Sequence, residues 1–184
     1  MMMRKRGIKT TIYPMGNGSP LVYGELISSP KKKTLLIYGH YDVQPPDPLD
    51  LWEHPPFEAT IENGIINGRG TADAKGNLIG YLQAIETLHQ TSNEIPLNLK
   101  FLYEGEEEIG SPHLPGFVEE KKQMLNAQAV IAADGSLDES GRPRINLGLK
   151  GILYVQLSSQ TSETDHHAMR APLLANPAWR LIWA

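Results

Sequence analysis

The side chains able to do chemistry fall into four short groups: Gly39-His40-Tyr41-Asp42, Gly68-Arg69-Gly70-Thr71-Ala72-Asp73, Glu104-Gly105-Glu106-Glu107-Glu108, and Ala133-Asp134. Each follows a short apolar run rich in β-favouring residues, at 35–38, 65–66, 99–103 and 130–133. In open α/β sheets ligands bind outside the carboxyl ends of the strands, so four runs that each end on an imidazole or a carboxylate describe a site at one sheet edge. Carboxylates gathered there repel one another unless a cation sits between them. A pair of divalent metal ions resolves the conflict, because zinc accepts both imidazole nitrogen and carboxylate oxygen.

Spacing adds to this. In His40-x-Asp42 on an extended segment, side chains two apart point the same way, so Asp42 is placed to accept a hydrogen bond from the imidazole and fix its tautomer. Adjacent side chains in Glu107-Glu108 diverge, which lets one bind metal while the other faces a substrate water as a general base. Each group alone has a plainer reading. A histidine after a strand is more often hydrogen-bonded than ligating, Asp73 at a helix start reads as an N-cap, and an acidic run is usually a solvated face. The coincidence of all four favours the metal site. Gly68-x-Gly70 lacks the third glycine of a dinucleotide fingerprint, and Ala74-Lys75 lacks the glycine that precedes a P-loop lysine.

The elements that must position these groups are short. Strands are expected over 10–13, 21–26, 33–39, 65–67, 97–103 and 129–133, the third, fifth and last of them buried. A partly exposed strand is expected over 152–158. Residues 43–57 hold five prolines and read as loop. Helices are expected from Asp73 to about Gln90, ending over 119–126, and from Asn176 with proline in the first turn. Strands alternating with helices give an α/β fold, a sheet covered by helices on both faces.

Composition narrows the setting. A chain of 184 residues is long enough for one sizeable core and short for two. The net charge of −4 gives no basic surface, so nucleic acid is not an expected partner. There are no cysteines, which removes disulfides and thiolate sites and fits a reducing compartment, the cytoplasm. No run approaches the roughly 20 apolar residues of a membrane span, and no apolar stretch follows MMMRKRG to make a secretory signal.

The segments GHYDVQPPDPLDLWEHPPFEATIENGIINGRGTADAKGN, FLYEGEEEIGS and IAADGS, in this order, resemble the M20 metallopeptidase family, and the proline-rich stretch is similar to its dipeptidase and carnosinase branch. The resemblance implies a three-layer zinc-peptidase sheet over 1–148, with 149–184 beginning an inserted α+β lid or dimerisation domain. It implies two divalent metal ions, zinc first, with manganese or cobalt as alternatives. His40 and Asp134 then match terminal ligands of one metal, Asp73 the bridging carboxylate and Glu108 a ligand of the second metal. Asp42 matches the carboxylate that orients His40, and Glu107 the general base. The stretch 164–169 is similar to the family's Asp-x-His-Ser-Gly, which makes His167 the lid histidine that steadies the oxyanion in a partner subunit's site. The implied chemistry is hydrolysis of a small peptide, or of an acyl-amino acid as the rival substrate, in a homodimer. Read against this family, the chain stops inside an apolar helical pattern near the start of the lid and offers no counterpart to the second metal's terminal histidine. A catalytically silent fragment with a partial metal site and exposed apolar surface is therefore the alternative reading.

Overall fold

The computed structural model describes residues 2–92, 94–135 and 137–184. In chain order its elements are a short helix α1 (Met2–Lys5), strands β1 (Lys9–Met15), β2 (Gly18–Leu26) and β3 (Thr34–His40), a hairpin of β4 (Thr60–Glu62) and β5 (Ile65–Asn67), helix α2 (Gly76–Ser92), strand β6 (Asn98–Glu104), helix α3 (Leu114–Leu125), strand β7 (Ala129–Ala132) and helix α4 (Pro177–Ile182). Five strands form one sheet in the order β1-β2-β6-β3-β7. The last three of that order run parallel, and β1 and β2 are antiparallel to their neighbours.

The connections place the layers. The chain passes from β3 through α2 to β6 on one side, then from β6 through α3 back past β3 to β7. Right-handed crossovers in opposite directions put their helices on opposite faces. Side-chain alternation along the strands matches this. Ile37, Leu99, Phe101 and Tyr103 meet Leu78, Leu82 and Ile85 of α2 in one core. Leu36, Leu102, Leu21 and Tyr23 meet Phe117 and Leu125 of α3 in the other. Gly39 lets α2 come close to the end of β3, since a Cβ there would stand 2.5 Å from Leu78 Cδ2. The sheet with helices on both faces is the expected architecture.

Four local expectations need correction. Strand β5 does not join the main sheet; it pairs only with β4 in a separate hairpin. Strand β7 is an edge strand rather than a buried one, bonded on one side to β3, with Val130 61% exposed. Helix α2 begins at Gly76, and Asp73 sits before it with extended backbone (φ −126°, ψ 97°). No strand forms over 152–158, where Ile152, Leu153 and Tyr154 are exposed. A strand is held by hydrogen bonds to a neighbour, and this stretch has no strand partner among the described residues.

The chain divides into two compact units, Met1–Arg144 and Ile145–Ala184. The second holds a helical turn, Ala168–Leu173, and α4. The α4 start is as expected: Asn176 accepts a hydrogen bond from the Ala178 amide at 2.9 Å and proline occupies the first turn. Among the described residues no helix is long and apolar enough to cross a membrane.

Phe101 is fully buried between the central strands and α2. Replacing it with alanine is expected to cost about 3–5 kcal/mol, against about 0.5 kcal/mol or less for the edge change Val130→Ala. Urea denaturation of both variants checks the contrast; equal midpoints would contradict this core assignment.

Candidate metal centre

The parallel strand register builds the site. It sets His40 opposite Glu104, and the pairing continues one step further through the Tyr41 amide, which donates to the Glu104 carbonyl at 2.8 Å. On the other side of β3, the Ala133 amide donates to the Tyr38 carbonyl at 2.6 Å, which carries Asp134 toward the same edge. The His40 ring is 1% exposed, and its Nε2 lies 3.0 Å from Asp73 Oδ1 and 3.9 Å from Asp134 Oδ2.

Asp73 reaches this point from the turn that precedes α2, not from a strand of the sheet. That turn needs Gly70, whose φ of +82° is left-handed and whose Cβ would stand 2.6 Å from Val43 Cγ1. Asp73 therefore does not cap the helix; its carboxylate is turned to His40. Glu107 and Glu108 open a single helical turn, Glu107–Ile109, just past β6. Two residues fix Glu108. Asp42 Oδ2 accepts a hydrogen bond from its amide at 3.0 Å, and Gln44 Nε2 donates to its carboxylate at 2.9 Å and its carbonyl at 3.2 Å. Gln44 opens the proline loop, which is tied down where Trp52 Nε1 donates to the Pro46 carbonyl and Arg69 stacks over the Trp52 ring.

One expected contact differs. Asp42 Oδ1 approaches His40 Nδ1 at 3.3 Å, but neither atom makes a hydrogen bond, because the approach is not aligned for one. The carboxylate is turned instead so that its other oxygen holds the Glu108 amide.

The electrostatics are those of too many carboxylates. Burial pushes the His40 pKa down, but Glu107, Asp42, Asp73 and Asp134 together outweigh it, and the net direction is up. Burial raises the Glu107 pKa; Asp134, Glu108 and Asp42 add to the rise, and His40 opposes it. The donor atoms of His40, Asp73 and Glu108 lie within 4.8 Å of one another. One imidazole nitrogen and several carboxylate oxygens in this reach are a donor set that fits a divalent metal ion.

Residues 36–183 match the profile of Peptidase family M20/M25/M40. The chain belongs to this family. It is 37% identical over 152 residues to the Cys-Gly metallodipeptidase of Schizosaccharomyces pombe, covering 81% of this chain and 32% of that protein. It is 32% identical over 151 residues to the human Beta-Ala-His dipeptidase, covering 81% and 30%. Among solved structures, an M20 family metallo-carboxypeptidase from Sulfolobus solfataricus superposes with a TM-score of 0.87 at 46% identity, over 98% of this chain and 41% of that one. The chain thus spans about a third of the length of the curated relatives it matches.

In this M20 chain four of the other five histidines have ordinary partners. His54 faces Glu62 at 3.2 Å, and His113 faces Glu106 at 2.7 Å. His166 meets Ser162 Oγ at 2.8 Å. His167 belongs to the second unit, where its Nδ1 accepts from the Met169 amide at 3.2 Å. No spacing in the sequence marks Gln44, or sets Glu104 and Glu106 apart within the acidic run; of these three side chains only that of Gln44 bonds a candidate ligand.

Because binding to the folded state alone stabilises it, zinc at 100 times its dissociation constant is expected to add about 2.7 kcal/mol. Thermal melts with and without zinc measure this. The increment should vanish in His40→Ala and in Asp73→Ala; an increment that survives both would place the ion elsewhere.

Proposed function

We propose that the protein is a metal-dependent dipeptidase that hydrolyses an amide bond with an activated water, Glu107 acting as general base. The observation that carries this reading is the convergence of His40, Asp73, Glu108 and Asp134 with Glu107 at the carboxyl edge of β3, β6 and β7. His40 and Asp134 would hold one divalent ion, Glu108 a second, and Asp73 both. Zinc suits this donor set first, with manganese or cobalt as alternatives. Bound there, the metal supplies Lewis-acid polarisation of the scissile carbonyl and acidifies water. Glu107, held partly buried among carboxylates, takes the water's proton and delivers it to the leaving amine. Asp42 fixes the Glu108 backbone while facing the His40 ring.

Family membership supports a peptide substrate, and two relatives are named for Cys-Gly and for Beta-Ala-His, both dipeptides. An N-acyl-amino acid is the alternative within the same chemistry. We assign residues 1–148 to the catalytic domain and 149–184 to the start of a lid, in which His167 steadies the oxyanion across a homodimer. The cysteine-free composition suits the cytoplasm.

A specific observation favours a rival. The metal-binding group found among the described residues has three members, His40, Asp73 and Glu108. In the rival reading the protein holds metal without turnover. Metal content and hydrolysis of Cys-Gly, β-Ala-His and an N-acetyl-amino acid separate the two. Two zinc ions per chain with hydrolysis that drops at least about 100-fold in Glu107→Gln, the usual scale of a general base, decide for the enzyme. One ion and no hydrolysis of any of the three decide for the rival.

A further inference from the structure

The run Glu104–Glu108 splits into two environments. Glu107 and Glu108 face the metal centre, while Glu104 and Glu106 are buried at 2% and 8% exposure. Glu104 accepts hydrogen bonds from the Tyr38 hydroxyl and, at 2.9 Å, from Ser111 Oγ. Glu106 accepts one from the Ser19 amide at 3.2 Å, and its other oxygen lies 2.7 Å from His113 Nδ1. Both glutamates thus reach the residue seven positions ahead and close the loop that contains Glu107 and Glu108. The Glu106 backbone closes it too, its carbonyl accepting from the Ile109 amide at 3.2 Å and the Ser111 amide at 2.8 Å.

Gly18, at the start of β2, makes room for the Glu106–His113 pair, because a Cβ there would stand 2.5 Å from Glu106 Oε1 and 2.6 Å from His113 Nδ1. A buried carboxylate is costly beside an apolar side chain of similar size unless its partners are well placed. Satisfied on both oxygens, it rigidifies what it joins. Here it joins the β1–β2 hairpin, the approach to α3 and the turn that carries the base and one ligand.

We propose that Glu106, with His113, is a positioning residue that sets where Glu107 and Glu108 stand at the metal centre. This rests on the metal-hydrolase reading above. It places Glu106 one residue from the base without giving it a ligand's or a base's role. The pair acts on geometry, so its loss should lower kcat and metal affinity and leave KM largely unchanged.

The test compares Glu106→Ala, Glu106→Gln, His113→Ala and the double alanine variant of the 184-residue chain. It reads zinc affinity by titration, amide exchange of Ile109 and Ser111 by NMR, and dipeptide kinetics. Removing an outer partner of a metal site usually costs 10–100-fold, so Glu106→Ala is expected to bind zinc at least about tenfold more weakly. Its Ile109 and Ser111 amides should exchange faster, while Phe101 and its neighbours stay protected. Glu106→Gln keeps an acceptor for Ser19 and a donor for the His113 ring, and should recover most of the loss. The double variant should be no worse than Glu106→Ala alone, because the two residues share one interaction. If Glu106→Ala does not fold, Glu106→Gln and His113→Ala carry the comparison. A wild-type chain that holds no zinc sinks the hydrolase reading. A wild type that holds zinc, beside folded Glu106→Ala or His113→Ala variants that hold it as tightly, sinks the positioning role.

Discussion

The register between β3 and its two parallel neighbours is the constraint on which the site depends. His40 ends β3, and because β6 and β7 run the same way, their carboxyl ends arrive beside it. A slip of one residue in β3 would exchange its two faces. Ile37 would then leave the α2 core, Leu36 the α3 core, and His40 would point away from Asp73. The two cores therefore hold the chemistry in place indirectly. Leu78, Leu82 and Ile85 on one side, with Phe117 and Leu125 on the other, penalise every register but this one.

What that register assembles is unfavourable by itself. One buried imidazole stands among Asp42, Asp73, Glu107 and Asp134, and the His40 pKa rises despite burial because those charges favour its cationic form. A protonated histidine offsets part of the repulsion. A divalent ion would offset far more, and it would displace the proton from the ring, since imidazole ligates in its neutral form. The packing energy of the sheet pays for this arrangement, which is why the carboxylates sit at its edge, on turns, rather than within its cores.

Much of this was legible in the residues. The apolar runs at 35–38 and 99–103 are central strands, and the groups that follow them do meet. The α/β layering followed from alternating strand and helix patterns. Three features were not legible, each for a physical reason. Ile65–Asn67 has the composition of a sheet strand, but three residues pair equally well in a local hairpin, and sequence does not say which partner wins. Residues 129–132 are apolar, yet burial of a strand depends on whether a further neighbour covers it. For 152–158, β-favouring side chains are necessary for a strand and not sufficient without a partner. The site's supporting residues were hidden differently. Gln44 and Glu106 act through contacts to residues 64 and 87 positions away, Glu108 and Ser19, which no local spacing encodes.

The glutamate run shows how far a single residue type can be from a single meaning. Glu104, Glu106, Glu107 and Glu108 lie within five positions, and read as a string they are a solvated acidic face. Strand β6 delivers Glu104 into the sheet's edge, against Tyr38, and the helical turn after it breaks the alternation. Past that break Glu106 folds back toward Ser19 and His113, while Glu107 and Glu108 go forward to His40 and Asp73. The buried pair is satisfied by hydroxyls, an amide and an imidazole, all neutral or singly charged groups already supplied by the fold. Of the forward pair, Glu108 has a single amide donor, Gln44, and Glu107 crowds other carboxylates instead. That difference in supply, rather than any difference in residue type, separates the glutamates that hold the turn from those left able to bind a metal ion or accept a proton.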